Sequence, residues 1–171
     1  MKKVLLLLHI MVSAAGANAQ EGEVEKDPRP DFIISGNLAG DASILSLDFD
    51  KLFFLKPALT LSVKGGLGFN SEFQLFSSEP PNNYFILPHH VTCNFGKNRS
   101  FLELGVGGAW VTDNRNNYYL GYPILGYRYH PFKNPGFSFR VWIYYPFGQD
   151  FNMDWDVIML LPYGLSFGIA I

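Results

Sequence analysis

The chain has 171 residues, of which 48% are hydrophobic, 16% aromatic and 16% charged, and its formal net charge is -2. This length predicts one domain, and the aromatic content excludes a disordered chain. The abundance of Gly, Phe and Tyr argues against a helical bundle. A small net negative charge without a basic cluster along the sequence gives no support for nucleic-acid binding. The single cysteine, Cys93, excludes an intrachain disulfide framework and a Cys-rich metal site.

The first 19 residues have the three parts of a secretory signal peptide. Lys2 and Lys3 precede an apolar run over residues 4–12, and Ala17-Asn18-Ala19 is a cleavage signal of the A-x-A type. The apolar run is shorter than the roughly 20 residues that a membrane-spanning helix needs. The sequence therefore predicts export, with residues 1–19 removed.

Residues 20–31 are rich in acidic residues and contain two prolines. This composition predicts a flexible lead-in outside the core. The remaining residues, 32–171, are predicted to form one β-barrel domain.

From residue 32 onward, apolar and polar residues alternate with a period of two, which is typical of β-strands. Clusters of Gly, Asn, Asp and Pro separate these stretches, as turns require. Several stretches exceed the usual strand length and match the 9–11 residues of tilted membrane-spanning strands. Eight strands are predicted, at 32–38, 43–50, 58–70, 84–96, 100–112, 118–130, 136–147 and 157–171.

Each predicted strand has one large apolar face and one small or polar face. In the last strand, Leu165, Phe167 and Ile169 share one face, whereas Ser166 and Gly168 share the other. A soluble barrel or sandwich would bury the apolar face, but a membrane barrel turns it toward lipid.

The polar faces favour the membrane barrel. They are rich in Gly and poor in Lys and Glu, which suits the crowded lumen of a barrel of about eight strands. Most strands carry about one charge on this face, and both signs occur. An even number of strands also closes the sheet without an open edge, as lipid requires. The predicted fold is therefore an all-β, eight-stranded, antiparallel, up-and-down transmembrane β-barrel.

The polar faces predict a polar and charged network that fills the lumen, in which Glu103 pairs with Arg128 or Arg140. Aromatic residues near the strand ends predict girdles at the two membrane interfaces. The predicted girdle comprises Phe53, Phe54, Phe101, Trp110, Tyr118, Tyr119, Tyr144, Phe147 and Trp155. The predicted lumen network comprises Asp48, Lys64, His90, Thr92, Glu103, Arg128 and Arg140.

Two stretches carry a resemblance to a known group: FGKNRSFLELGVGGAW at 95–110 and PILGYRYHPFKNPGFSFRVWIYYPFG at 123–148. The chain resembles the small, mostly uncharacterised outer-membrane β-barrel proteins of Gram-negative bacteria. The resemblance implies the barrel fold and a location in the bacterial outer membrane. It implies no catalytic residues, because the group has no established common activity.

The last strand is also similar to the signal that the outer-membrane assembly machinery reads. Gly164, Phe167 and Ile169 fit that pattern, although Ile171 stands where an aromatic residue is usual. The expected partners are therefore the lipid bilayer and the barrel assembly machinery, together with an unidentified external partner at the loops.

A search for reactive motifs finds no phosphate-binding loop, nucleophile elbow or zinc-protease signature. His89 and His90 are adjacent in a strand and point to opposite faces, so they cannot chelate one metal ion together. Three aspartates in the loop at 150–156 do not match an EF-hand loop. No metal and no cofactor are predicted.

Some outer-membrane barrels of this size are lipid A deacylases, which place a His-x-Ser pair beside a Glu. The corresponding positions here are His90, Thr92 and Glu103, with Thr in place of Ser. In such a site the histidine would activate the hydroxyl and the carboxylate would orient the histidine. In this chain all three residues are predicted to face the lumen rather than the lipid.

The sequence thus favours a non-enzymatic outer-membrane barrel with a side-chain-plugged lumen and a structural or surface-interaction role. Its longer loops, 71–83 and 148–156, are expected to face the outside. Three alternatives stay open: a lipid-modifying enzyme, a narrow pore, and a soluble periplasmic or secreted ligand-binding barrel.

Overall fold

The computed structural model describes residues 29–71, 83–112, 117–147 and 161–171, and these form an all-β closed barrel. Each strand pairs antiparallel with the next, and β8 pairs with β1 to close the sheet. The predicted eight-stranded antiparallel barrel is therefore confirmed. Among these residues, no helix is long and apolar enough to cross a membrane. The strands are β1 (Phe32–Leu38), β2 (Leu45–Lys56), β3 (Leu59–Ser71), β4 (Asn83–Lys97), β5 (Ser100–Thr112), β6 (Asn117–Tyr129), β7 (Gly136–Tyr144) and β8 (Tyr163–Ala170).

Several sequence predictions concern residues outside the described ranges. They are the signal peptide, most of the lead-in, most of the 71–83 loop, residues 113–116 between the fifth and sixth predicted strands, the 148–156 loop with its aspartates and Trp155, and residues 157–160 of the last predicted strand.

The predicted strand bounds agree with the structure to within two residues except at the end of β2, the end of β7 and the start of β8. β8 begins at Tyr163 rather than at 157, directly after Pro162, which has no N–H for the ladder. β2 continues six residues past the predicted end at 50, because its alternation persists and β3 pairs with it up to Lys56. β7 ends at Tyr144, three residues early. The reason is Pro146, which has no N–H to donate to the ladder. The strand resumes only at Phe147, which exchanges two backbone hydrogen bonds with Gly121.

The barrel has two different ends. The short turns at 57–58, 98–99 and 130–135 leave the strands at the end where β1 begins and β8 finishes. We call this the termini end. The connections β1–β2, β3–β4, β5–β6 and β7–β8 leave at the opposite end, which we call the loop end.

The polarity of the barrel is the reverse of that of a soluble domain. Outward side chains are large, apolar and exposed, for example Val106 at 56% and Phe137 at 58%. Inward side chains are buried, and many of them are polar or charged, for example Asp48 and Glu103, both at 0%. The assignment of residues to the two faces therefore follows the alternation read from the sequence.

The interior divides into layers along the barrel axis. A central layer of ionisable side chains, which we call the charged layer, consists of Asp41, Asp48, Asp50, Lys64, His90, Glu103, Arg128 and Arg140. Toward the loop end lies a cluster that we call the aromatic layer. It consists of Ala42, Tyr84, Ile86, Ala109, Val111, Leu120, Tyr122, Ile124, Trp142 and Tyr144.

Candidate functional site: a buried ion-pair network

Six of the eight strands supply the seven residues that the sequence places in the lumen network. The cross-strand register places these residues at similar positions along the barrel axis. It pairs Lys64 with His90 and Arg128 with Arg140. All seven side chains are buried. The structure therefore collects these residues inside the barrel, at successive positions along adjacent strands.

Glu103 on β5 lies at the centre of the network. Its Oε2 accepts a hydrogen bond from Arg140 Nε at 2.5 Å. Its Oε1 accepts from the Thr92 hydroxyl at 2.7 Å and from Arg128 Nη2 at 3.4 Å. The carboxylate thus contacts both of the arginines that the sequence offered as alternative partners.

Arg128 also pairs with a carboxylate that the sequence analysis missed. Its Nη1 lies 2.5 Å from Asp50 Oδ2, and its Nη2 donates to the Ser62 hydroxyl at 3.2 Å. Ser62 in turn donates to Asp50 Oδ1 at 2.6 Å. The available signal was periodicity, since Asp50 is two residues after Asp48 on the same face of β2. It was overlooked because the predicted strand ended there.

Lys64 on β3 joins two carboxylates. Its Nζ lies 2.5 Å from Asp48 Oδ2 and 3.0 Å from Asp41 Oδ2. The Asn37 side-chain amide also donates to Asp48 Oδ2. The ammonium lies 5.0 Å from the centre of the Trp142 ring, so it contacts the aromatic layer as well.

Asp41 reaches the interior because the β1–β2 connection folds into the barrel. Four consecutive residues, 39–42, have positive φ between 58° and 82°. This conformation is costly for residues other than Gly. Gly40 is required where the turn approaches Trp142 and Gly164, since a Cβ there would lie 2.9 Å from both. The ion pairs of the fully buried Asp41 offset part of this strain.

His90 connects this turn to the arginines. Arg140 Nη2 lies 3.1 Å from His90 Nδ1, and a guanidinium can only donate. Nδ1 is therefore the acceptor, and Nε2 carries the proton that is donated to Asp41 Oδ1 at 2.8 Å. His90 is accordingly neutral in this arrangement, and it also contacts the Tyr122 hydroxyl at 3.2 Å.

These contacts differ from those of a hydrolytic site. The Thr92 hydroxyl donates to Glu103, and His90 bonds with Asp41, Tyr122 and Arg140. In the described residues no hydrogen bond joins His90 to Thr92, and both side chains are buried from solvent. The described ranges also contain no group of three His, Cys, Asp or Glu residues that could hold a metal ion.

The termini end of the interior is filled by residues that precede β1. The Arg29 guanidinium lies 4.5 Å from the centre of the Phe54 ring and 5.3 Å from that of Phe101. His130 Nε2 lies 2.8 Å from the Pro30 carbonyl oxygen and donates to it. Burial, together with the positive charge of Arg128, lowers the pKa of His130 to about 4, so His130 is neutral at pH 7.

The predicted aromatic girdle is only partly an outer-wall feature. Four of its members, Phe53, Trp110, Tyr119 and Phe147, are exposed on the outside. Phe101 and Tyr144 are buried inside the barrel, because their positions in the alternation face inward. The remaining two described members are partly buried: Phe54 packs against the interior at the termini end, and Tyr118 packs against the aromatic layer.

His89 faces outward, opposite to His90, as the alternation requires. Its Nε2 lies 3.0 Å from the Tyr119 hydroxyl, and its ring centre lies 4.9 Å from that of Trp110. The His89 and Tyr119 side chains lie over Gly108, where a Cβ would come within 2.2 Å of the Tyr119 hydroxyl.

No protein-family model, curated protein sequence or solved structure matches this chain.

Proposed function

We propose that this protein is an integral outer-membrane β-barrel without enzymatic activity, whose interior is closed by side chains and whose loops serve a structural or surface-interaction role. The observation that carries the proposal is the reversed polarity of the barrel. Buried ionisable groups pair with one another inside, and large apolar side chains cover the outside.

The distribution of charge supports a lipid environment for the outer wall. Every exposed charged side chain in the described ranges lies at the termini end, and the wall between the two ends carries none. In water this wall would be an apolar surface far larger than the few hundred Å² that soluble monomers tolerate. In lipid the same surface is favourable, and the closed sheet leaves no unpaired edge.

Export and assembly are proposed from two segments of the sequence. The predicted signal peptide at 1–19 would direct the chain out of the cytoplasm. The last strand supplies the expected contact with the barrel assembly machinery, and Phe167 and Ile169 are exposed on its outer face. The resemblance to small Gram-negative outer-membrane barrels agrees with this location.

The proposed closure of the lumen rests on the charged layer and the inward turn. Asp41, Lys64 and Arg140 are each at most 4% exposed. Ion pairs across the interior connect β2 to β6 and β5 to β7. We expect no stable ion conductance in planar bilayers. Reproducible single-channel steps from the purified protein would support the narrow pore instead.

The experiment that tests the location is cell fractionation combined with a heat-modifiability gel. We expect the protein in the detergent-extracted outer-membrane fraction, with a band that shifts on boiling because the closed barrel resists denaturant. Recovery as a soluble periplasmic protein without a shift would overturn the proposal. The apolar residues would then cover an interface or a ligand site.

A further inference from the structure

The exposed charges of the described ranges gather on one rim of the barrel. Four cationic side chains, Lys56, Lys97, Arg99 and Lys133, are exposed at the termini end. The half-exposed carboxylate of Asp31 lies on the same rim and is already paired with Lys51 at 2.6 Å. In the described residues, the loop end carries no exposed charged side chain.

The four cations belong to three neighbouring turns. The Gly96 amide donates to the Ala58 carbonyl at 3.1 Å, which places the 57–58 turn beside the end of β4. Arg99 lies 5.6 Å from the centre of the Phe132 ring and donates to the Tyr129 hydroxyl at 3.2 Å. These contacts join the 98–99 and 130–135 turns, so the cations form a continuous arc, which we call the basic arc.

The basic arc borders directly on the apolar outer wall. Leu55, Phe95, Leu102 and Phe137 are exposed on that wall, within a few residues of the cations along the chain. In a bilayer, side chains at this boundary lie at the level of the lipid headgroups. Lysine and arginine suit such a position, because their aliphatic stems pack on apolar surface while the charge stays in the polar region.

We propose that the basic arc binds the phosphate groups of anionic phospholipids in the leaflet at the termini end. The inference rests on the proposed membrane location. Lys ammonium groups attract phosphate as point charges, and the planar Arg99 guanidinium can donate two parallel hydrogen bonds to it. The arc is open toward the surrounding leaflet, so the ligand it fits is a headgroup held at the wall rather than a free ion.

Another source of negative charge is the chain itself. Residues 21–27 contain four acidic residues and one lysine, and they precede Arg29, which is buried at the mouth of the barrel. This segment is therefore an alternative candidate for binding to the basic arc. The experiment must distinguish it from lipid.

The test is native mass spectrometry of the protein extracted from membranes and exchanged into a neutral detergent. Short-chain phosphatidylglycerol and phosphatidylcholine are titrated separately. We expect at least tenfold tighter binding of phosphatidylglycerol, with a preference that falls as salt is raised. The triple variant that combines Lys56→Gln, Lys97→Gln and Lys133→Gln should lose the preference for phosphatidylglycerol. Each neutralised cation should weaken phosphatidylglycerol binding by about fivefold. An equal affinity for the two lipids in the unmodified protein would overturn the proposal.

The matched control is Lys51→Gln, which removes one positive charge that already has a partner. It should change phosphatidylglycerol binding less than twofold, whereas Lys97→Gln should weaken it about fivefold. Equal effects of these two variants would show a response to net charge alone and would overturn the proposal. Displacement of the lipid by millimolar inorganic phosphate would also overturn it, since the arc would then bind free phosphate.

Deletion of residues 20–27 separates the lipid from the acidic segment. Unchanged phosphatidylglycerol binding supports the proposal, whereas binding that appears only after the deletion shows that the segment occupies the arc. Each variant is first checked for the band shift on boiling, which shows that the barrel has formed. An outer-membrane protein without a lipid preference contradicts only this inference, but a soluble protein contradicts the proposed function as well.

Discussion

The charged layer and the aromatic layer occupy the same barrel interior but are stabilised in different ways. In the charged layer each ionisable group depends on particular partners, as Glu103 does on Arg128 and Arg140. In the aromatic layer, Leu120 belongs to a cluster of apolar and aromatic side chains. Loss of one partner should therefore be most damaging in the charged layer, where it leaves a buried charge uncompensated. The aromatic layer should respond mainly to lost volume.

The two layers also meet at defined contacts. His90 lies edge-on to Tyr122 at 5.7 Å between ring centres, and Arg140 lies 4.3 Å from the centre of the Trp142 ring. Gly107 provides the necessary space, because a Cβ there would come within 2.4 Å of Tyr122 and 2.7 Å of His90. The interior is therefore one packed body in which two kinds of interaction adjoin.

The largest effect is expected from Glu103→Gln in the charged layer. This substitution keeps the shape of the side chain but leaves Arg140 without its carboxylate partner. We expect the free energy of unfolding to fall by about 3–5 kcal/mol, measured by urea titration of the refolded barrel in micelles. A loss below about 1 kcal/mol would show that the ion pairs set geometry without contributing to stability.

A smaller effect is expected from Leu120→Ala in the aromatic layer. The side chain is 1% exposed, so its truncation leaves a cavity. We expect a loss of about 2–4 kcal/mol in the same titration. Leu120→Met is the control and should cost less than about 1.5 kcal/mol, because it conserves volume. Similar losses for the two variants would contradict a layer governed by volume.

A pH-dependent contribution to the free energy of unfolding is expected from His130, which lies at the termini end of the interior. The pKa of His130 is about 4 in the folded protein, below the 6.5 of the unfolded chain. The unfolded chain therefore binds the proton more readily between these values. The contribution of neutral His130 to the free energy of unfolding is therefore fully present above pH 6.5. It is lost as the pH falls toward 4.

We expect acidification from pH 7 to 4 to cost the parent protein about 1–3 kcal/mol more than it costs His130→Gln. Glutamine retains a donor for the Pro30 carbonyl but does not titrate in this range. If the free energy of unfolding varies with pH in the same way in the parent and the variant, His130 is not the source of the acid sensitivity.

The smallest effect is expected from Lys51→Gln. Its partner is Asp31, and the two side chains are 44% and 46% exposed. Exposed ion pairs of this kind contribute about 1 kcal/mol or less. If Lys51→Gln lowered the free energy of unfolding as much as Glu103→Gln does, burial would not distinguish the ion pairs of this barrel.

The inward-facing side chains and the number of strands could be predicted from the sequence alone. Side-chain direction in a strand alternates with a period of two, so Asp48, Lys64 and Glu103 could be assigned to one face without knowledge of their partners. The turn residues between the stretches separated the eight strands. The closed barrel confirms this part, because alternation and turn chemistry are local properties of the chain.

Which of these groups contact one another depends on the tertiary structure. Asp41 lies between the predicted strands at 32–38 and 43–50, yet it bonds with His90, 49 residues away, because the turn folds inward. Asp50 meets Arg128 across 78 residues once the sheet closes. The basic arc likewise has no counterpart as a cluster in the linear sequence, since its cations lie on three separate turns. Contacts of this kind depend on barrel closure and register, which bring distant residues to one height, and no local pattern of residues encodes them.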